Sequence, residues 1–295
     1  MISKQQLSKL YIRACEIELE AFKPGNVSIF SEGHGMTVAD FRHSAEVSAG
    51  PLTDPDYSLG ENIFYAVKAT REAVGCNTNL GIILLCAPLA KAVCIVDSFG
   101  SLRQGLRHIL ESTTIEDANW AFKAIALASP SGLGSADDQD VNQTATVTLA
   151  DAMKLASDKD RIALQYVNAY KDIFECSLLR YTSRLDRWGN HGWASLSVYA
   201  DMLRHFPDSH IERKHGKQYS ELVAKKMAWL SESLDKSNDP EQLMPMLYQL
   251  DQELKVIGVN PGTTADMTVA TVFTAFLGDL VGEHIADKTR NFFQI

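Results

Sequence analysis

No Cys-x-x-Cys pair, no run alternating polar and apolar residues with period two, no internal repeat and no apolar stretch of bilayer length occurs in this sequence. Each absence removes a class of protein. Five cysteines (Cys15, Cys76, Cys86, Cys94, Cys176) form an odd set, mostly among apolar residues; they argue against a disulfide framework and read as reduced core thiols. The most apolar run, Leu80 to Ala90, is about half the roughly 20 residues a membrane helix requires. The segment MISKQQLSKLYIRACEIELE carries Glu and polar residues where a signal peptide has its apolar block, so it reads as a first helix. A net charge of -9 leaves no general positive face for nucleic acid or an anionic membrane. These features predict a cytoplasmic protein with small-molecule partners, no nucleic acid and no membrane, and they leave homo-oligomerisation open.

Helical periodicity is what the chain has in abundance. Leu7, Leu10, Tyr11, Ala14, Ile17 and Ala21 recur at three- and four-residue spacing, the stripe of an amphipathic helix, which ends at Lys23-Pro24-Gly25. Similar patterns predict helices over 38–48, 58–75, 79–97, 101–112, 116–128, 144–157, 160–181, 191–205, 209–236, 240–256 and 264–284, separated by Gly, Pro, Asn or Asp. The expected fold is all-α, a single compact domain of roughly a dozen helices over residues 1–295, with sequential helices packed as neighbours. The Gly/Ser/Asp-rich stretch 127–143 suits either a functional loop or a joint.

Five polar, glycine-containing segments interrupt the helices. The first, FKPGNVSIFSEGHGMT, pairs a Pro24-Gly25-Asn26 turn and the cation Lys23 with His34 between two glycines. In the second, GCNTNLG, Asn77, Thr78 or Asn79 caps the apolar helix that follows, and that end also suits a phosphate. The third holds Asp137, Asp138 and Asp140 without the ligand ladder of a calcium loop. The fourth, DSHIERKHG, puts Arg213 on the face of His210 at a spacing of three, beside Lys214. His210 and His215 are five apart, which does not support a helical zinc pair. The fifth, NPGTTADMTVA, starts a helix with Gly262 and Asp266 in or near its first turn.

Taken in order, KPGNVS, Gly-x-His with Met soon after, Asn-Thr-x-x-Gly, Asp-Ser-His with Arg/Lys-x-Gly, and Pro-Gly-x-x-Ala-Asp resemble the triphosphoribosyl-dephospho-CoA synthase family over about residues 16–277. That resemblance implies an all-helical enzyme that joins ATP to 3′-dephospho-CoA and releases adenine, with Mg²⁺ as the expected metal. It points to Glu18, Lys23, Pro24, Gly25, His34, Asn77, Thr78, Gly81, Asp208, Arg213, Lys214, Gly262, Ala265 and Asp266. The chain also departs from the family pattern. KPGNVS has Ser28 where an acid is expected, Gly35 and Met36 follow the His without the expected acid, and NTNLG has Asn79 and Leu80 for a His and a Lys. Asp208-Ser209-His210 stands for Asp-Thr-Asn.

A reaction at ribose C1′ passes through an oxocarbenium-like state. It calls for a carboxylate near C1′, a base for the acceptor hydroxyl, and cations for phosphates. On that basis Asp208 and Asp266 are expected at the metal or C1′, Glu18 as a further metal ligand, and His34 as the base. Lys23, Gly25, Asn77, Thr78, Arg213, Lys214 and Gly262 are expected around the phosphates. Two alternatives remain: a ribosyl-phosphate transferase acting on another cofactor precursor, such as a tetrahydromethanopterin-like pterin, and a non-catalytic helical scaffold.

Overall fold

Proline and glycine decide where the helices of this chain stop, because one lacks an N–H and the other tolerates positive φ. The computed structural model describes residues 2–33, 35–130 and 138–282. The helices are α1 (Lys4–Glu20), α2 (Val38–Leu52), α3 (Leu59–Val74), α4 (Leu80–Val93), α5 (Val96–Phe99), α6 (Leu102–Glu111), α7 (Ile115–Ala128), α8 (Leu149–Ala156), α9 (Arg161–Asn168), α10 (Leu178–Trp188), α11 (His191–His205), α12 (Ser209–His215), α13 (Lys217–Lys236), α14 (Met244–Val256) and α15 (Gly262–Leu280). A π-helical turn spans Ile173–Ser177 and a 3-10 turn Pro240–Leu243. Among the described residues no strand forms; two isolated bridges, Ser28 with Ser31 and Gly33 with Met36, lie after α1. Helix starts follow local chemistry: Ser3, Thr37, Ser58 and Thr114 cap α1, α2, α3 and α7, each in a reciprocal box closed by Gln6, Asp40, Glu61 or Asp117.

Two helices form the centre. Every residue of α4 except Lys91 is buried, and α15 is buried over most of its length, the pattern of a helix with apolar residues all round. The larger apolar cluster gathers α4 and α15 with α1–α3, α6, α7 and part of α11. A smaller one joins Phe22 and the other face of α11 to α12–α14. Both clusters use α11: Ala194, Val198 and Met202 face the first, Leu196, Tyr199 and Leu203 the second.

The expected helix 79–97 is interrupted at Cys94–Ile95, between α4 and α5, and two others divide at residues of positive φ. Residues 160–181 break after α9, where Ala169 and Tyr170 take φ of 49° and 55°. The residues around this break reach into another helix. Pro88 has no N–H, so the Leu84 carbonyl loses its helical donor. The hydroxyl of Tyr166 donates to Leu84 O at 2.7 Å and that of Tyr170 to Leu85 O at 3.0 Å. Residues 209–236 break at Gly216, φ 86°, which separates α12 from α13. Of the cysteines, Cys15 and Cys86 are buried as expected, but Cys94 and Cys176 are exposed and Cys76 is half-buried. These three lie at a helix end or on an outward face, which the local apolar context does not disclose. No helix among the described residues is long and apolar enough to cross a membrane.

Candidate active site

Helices α4, α9, α12 and α15 all begin in one place. The Arg161 N–H at the start of α9 donates to Ser209 Oγ at the start of α12, 2.7 Å. The Thr264 N–H in the first turn of α15 donates to Asp208, the N-cap of α12, at 2.8 Å. Gly81 in the first turn of α4 faces both Asp266 of α15 and Ile162 of α9. Helix N-termini carry partial positive charge and unpaired N–H groups, so their convergence favours anions. The N-cap residues of α4 and α15, Asn79 and Pro261, supply no capping side chain; one N–H of each first turn is met from elsewhere, Leu80 by Asn77 and Thr264 by Asp208.

Asp266 stands at this junction. Its carboxylate makes no hydrogen bond or ion pair with any described residue. A Cβ on Gly81 would lie 2.0 Å from Asp266 Oδ2 and 2.7 Å from Ile162 Cδ1. A Cβ there would displace the Asp266 carboxylate and the end of Ile162, so Asn-Thr-x-x-Gly and Pro-Gly-x-x-Ala-Asp are two halves of one notch. Burial, followed by the charges of Glu18 and Asp208, pushes the Asp266 carboxyl well above the usual carboxylate range, with Arg213 opposing.

Asp208 is placed differently. Oδ1 accepts from the His210 and Ile211 N–H groups at 2.9 and 3.1 Å, and Oδ2 from Thr264 N and Oγ1 at 2.8 Å each. It clasps α12 to α15, and burial still holds its pKa above the ordinary value. Asp160 caps α9 and pairs with Arg213 at 2.5 Å. Gly262 lies against the His210 ring, where a Cβ would be 3.1 Å from Nδ1, and Ala265 is buried beside it. Lys214 points to solvent.

The KPGN segment forms the next wall. Asn26 N–H donates to Lys23 O at 3.0 Å across Pro24 and Gly25, and Gly25 has φ 85°, the geometry a type II turn requires of its third residue. Gly25 N–H donates to Asp251 at 2.9 Å, Tyr199 OH to Pro24 O at 2.8 Å, and Asn26 to Asn260 at 2.7 Å. Lys23, expected on a phosphate, is fully buried: its ammonium donates to Glu18 O and Val27 O at 2.6 and 2.9 Å and pairs with Glu18 Oε1 at 3.0 Å. Burial lowers the Lys23 pKa and raises that of Glu18, each opposed by the partner's charge. This pair closes the end of α1 and holds the turn.

Beyond the notch, Thr78 donates to Ser44 at 2.5 Å, Asn79 to Ser48 at 3.2 Å, and Asn77 accepts from Leu80 N at 3.1 Å. Of the positions that depart from the family pattern, Asn79 is therefore built into the wall against α2 and Leu80 beside it is buried. A cavity of about 10 Å³ lined by Glu18, Cys15, Asn79 and Ile82 has room for about one water. It adjoins a groove of about 260 Å³ between α1 and α2, bordered by Glu16 and Arg42. His34 and Asp137 lie outside the described residues; Asp140 caps its own loop, accepting from Asn142 N at 2.8 Å.

Over residues 4–284 the sequence matches the CitG family, described as ATP:dephospho-CoA triphosphoribosyl transferase. The chain belongs to that family. It is a transferase, moving the triphosphoribosyl unit of ATP to dephospho-CoA. A solved structure from Archaeoglobus fulgidus, provisionally described as a triphosphoribosyl-dephospho-CoA synthase, shares the fold with a TM-score of 0.60 and 24% identity over 79% of this chain and 96% of that one. No curated relative matches the sequence.

The magnesium set expected for a triphosphoribosyl transferase, Glu18, Asp208 and Asp266, does not fit a resident metal. Glu18 is paired with Lys23 and Asp208 has four donors, which leaves one free carboxylate. Among the described residues no three His, Cys, Asp or Glu side chains are grouped to hold a metal ion. Residues missed from the sequence include Asp160, Arg161, Tyr199 and Asp251. Asp251 carried a readable signal: it interrupts the apolar stripe Leu247, Leu250 and Leu254, and all four are buried on one face of α14. Asp160 and Tyr199 gave none, because their partners are distant in sequence.

Proposed function

We propose that triphosphoribosyl transfer runs at the notch between α4 and α15, with Asp266 facing ribose C1′ of ATP. The observation that carries this reading is the unpaired Asp266 carboxyl among helix N-termini, beside a glycine that leaves it room. In the reaction the C1′–N9 bond breaks, adenine leaves with a proton, and the ribose hydroxyl oxygen of 3′-dephospho-CoA bonds to C1′ as it loses one. A carboxyl with a raised pKa serves both ends: it holds a proton for the departing base, and its anion then faces the oxocarbenium carbon and takes the hydroxyl proton. The α4 and α15 N-termini favour the anionic donor. Asp208 and the Glu18–Lys23 pair act as positioning residues that fix α12, α15 and the KPGN turn. Magnesium arrives with the nucleotide in this reading, as is usual for an ion bound largely by phosphates and water. Five free cysteines support a reducing, cytoplasmic setting. Neither another cofactor precursor as acceptor nor a scaffold role gains support from the family match.

The test supplies the purified protein with ATP, 3′-dephospho-CoA and Mg²⁺ and follows adenine and product mass. The expected result is one adenine per product molecule, the product heavier by one triphosphoribosyl unit. A folded protein that binds ATP and releases no adenine would overturn the reading.

A further inference from the structure

We infer that Arg161 and Arg213 form an oligophosphate-binding arm next to the notch, Arg161 being a binding residue that no motif indicates. The two guanidinium groups flank one helix start, since Arg213 pairs with Asp160, the residue before Arg161. Both Nε atoms are buried and have no hydrogen-bond partner. Buried donors of this kind are uncommon in folded proteins, and two beside one helix start leave donor capacity that an arriving acceptor can use. Each guanidinium has one carboxylate partner, Asp172 for Arg161 at 2.7 Å and Asp160 for Arg213 at 2.5 Å, so further N–H groups remain. The side chains are 17% and 26% exposed, within reach of solvent-borne anions.

The direction of Arg161 is fixed. Its guanidinium carbon lies 3.8 Å from the centroid of the Phe206 ring, and a plane held by stacking presents its donors in a set fork, which suits phosphate oxygens. The arm adjoins the reacting end, because Ile162, the residue after Arg161, meets Gly81 beside the Asp266 carboxylate. Lys23, a further cation nearby, is enclosed by Glu18 and main-chain carbonyls. The donor's triphosphate and the acceptor's diphosphate share the chemistry this arm recognises. Only the identity of those two sources rests on the transfer reading.

The test measures binding of inorganic tripolyphosphate, ATP, 3′-dephospho-CoA and adenosine by calorimetry to wild type, Arg161→Gln and Arg213→Gln. Tripolyphosphate should bind each variant about 10- to 100-fold more weakly, the range expected for losing charge-assisted hydrogen bonds, while adenosine is unchanged. A parallel loss for ATP assigns the arm to the donor, and one for dephospho-CoA to the acceptor. Tripolyphosphate affinity within twofold of wild type in both variants overturns the inference. Asp172→Asn separates a structural role: it removes the ion pair and keeps the cation, so its tripolyphosphate affinity should not fall, and a fall matching that of Arg161→Gln would assign the effect to lost structure and overturn the inference. If Arg161→Gln does not fold, Arg161→Lys keeps the charge without the stacked fork, and an intermediate loss is expected; no loss overturns the role of Arg161. Weakened tripolyphosphate binding in a protein whose wild type releases no adenine would leave the arm standing and overturn the transfer reading alone.

Discussion

The clasp where α12 meets α15 and the notch where α4 meets α15 are each built around an aspartate near a helix start, and they use it in opposite ways. Asp208 receives four hydrogen bonds from three residues and joins two helices. Asp266, five positions beyond Pro261 at the α15 N-cap, receives none from any described residue, and space for it is kept by the missing side chain of Gly81. The same division runs through the cluster, with Glu18–Lys23 and Asp160–Arg213 matched and Asp266 unmatched. Residue type and helix position therefore do not distinguish a fastening from the group proposed to react. The donors that tertiary contacts bring to each carboxylate do.

Breaking the matched side gives the largest expected effect. Lys23→Ala strands Glu18 as a buried, uncompensated carboxylate and should cost about 3–5 kcal/mol in denaturant unfolding. A loss below about 1 kcal/mol, within the range of an exposed pair, would mean that the Lys23 ammonium is available to substrate after all.

Asp266→Asn tests the unmatched side. Turnover should fall by about 100-fold or more, the range of a positioned acid or base, with no loss of helical signal. Stability should move the other way. A raised native pKa means that the native state holds its proton more tightly than the unfolded chain, so wild type loses stability as pH rises from the ordinary carboxylate range through that raised value. The amide does not ionise, and Asp266→Asn should melt higher than wild type at pH 8. The gain should vanish in acid, where both states of the wild-type carboxyl are protonated. Equal melting at both pH values, or near-wild-type turnover, would remove Asp266 from the chemistry.

Asp208→Asn sharpens the contrast at the smallest scale. It turns an acceptor toward Thr264 N–H into a donor and should cost about 1–3 kcal/mol of stability, while lowering turnover less than Asp266→Asn. A larger catalytic loss than for Asp266 would exchange their roles.

Much of this molecule was legible before folding was considered. The α1 stripe and the all-α class are local, because a 3.6-residue period shows within a few turns of helix. Gly25 and Pro24 specified their turn in the same way. The break at Ala169–Tyr170 was not legible: it goes with contacts to Leu84 and Leu85, some eighty residues away, that Tyr166 and Tyr170 make only in the folded chain. Arg161 likewise read as one charge among 28 Lys and Arg residues.

The sequence by itself determined the helical class, most helix starts, the order of the polar segments and, through them, the family. Only the tertiary structure decided which of those segments meet, which carboxylate is left without donors, and which cations are enclosed. The physical reason is that propensity, capping and turn chemistry act within a few residues, whereas burial and hydrogen-bond pairing depend on neighbours such as Gly81 and Asp266, which lie far apart in the chain and become adjacent only when α4 and α15 pack.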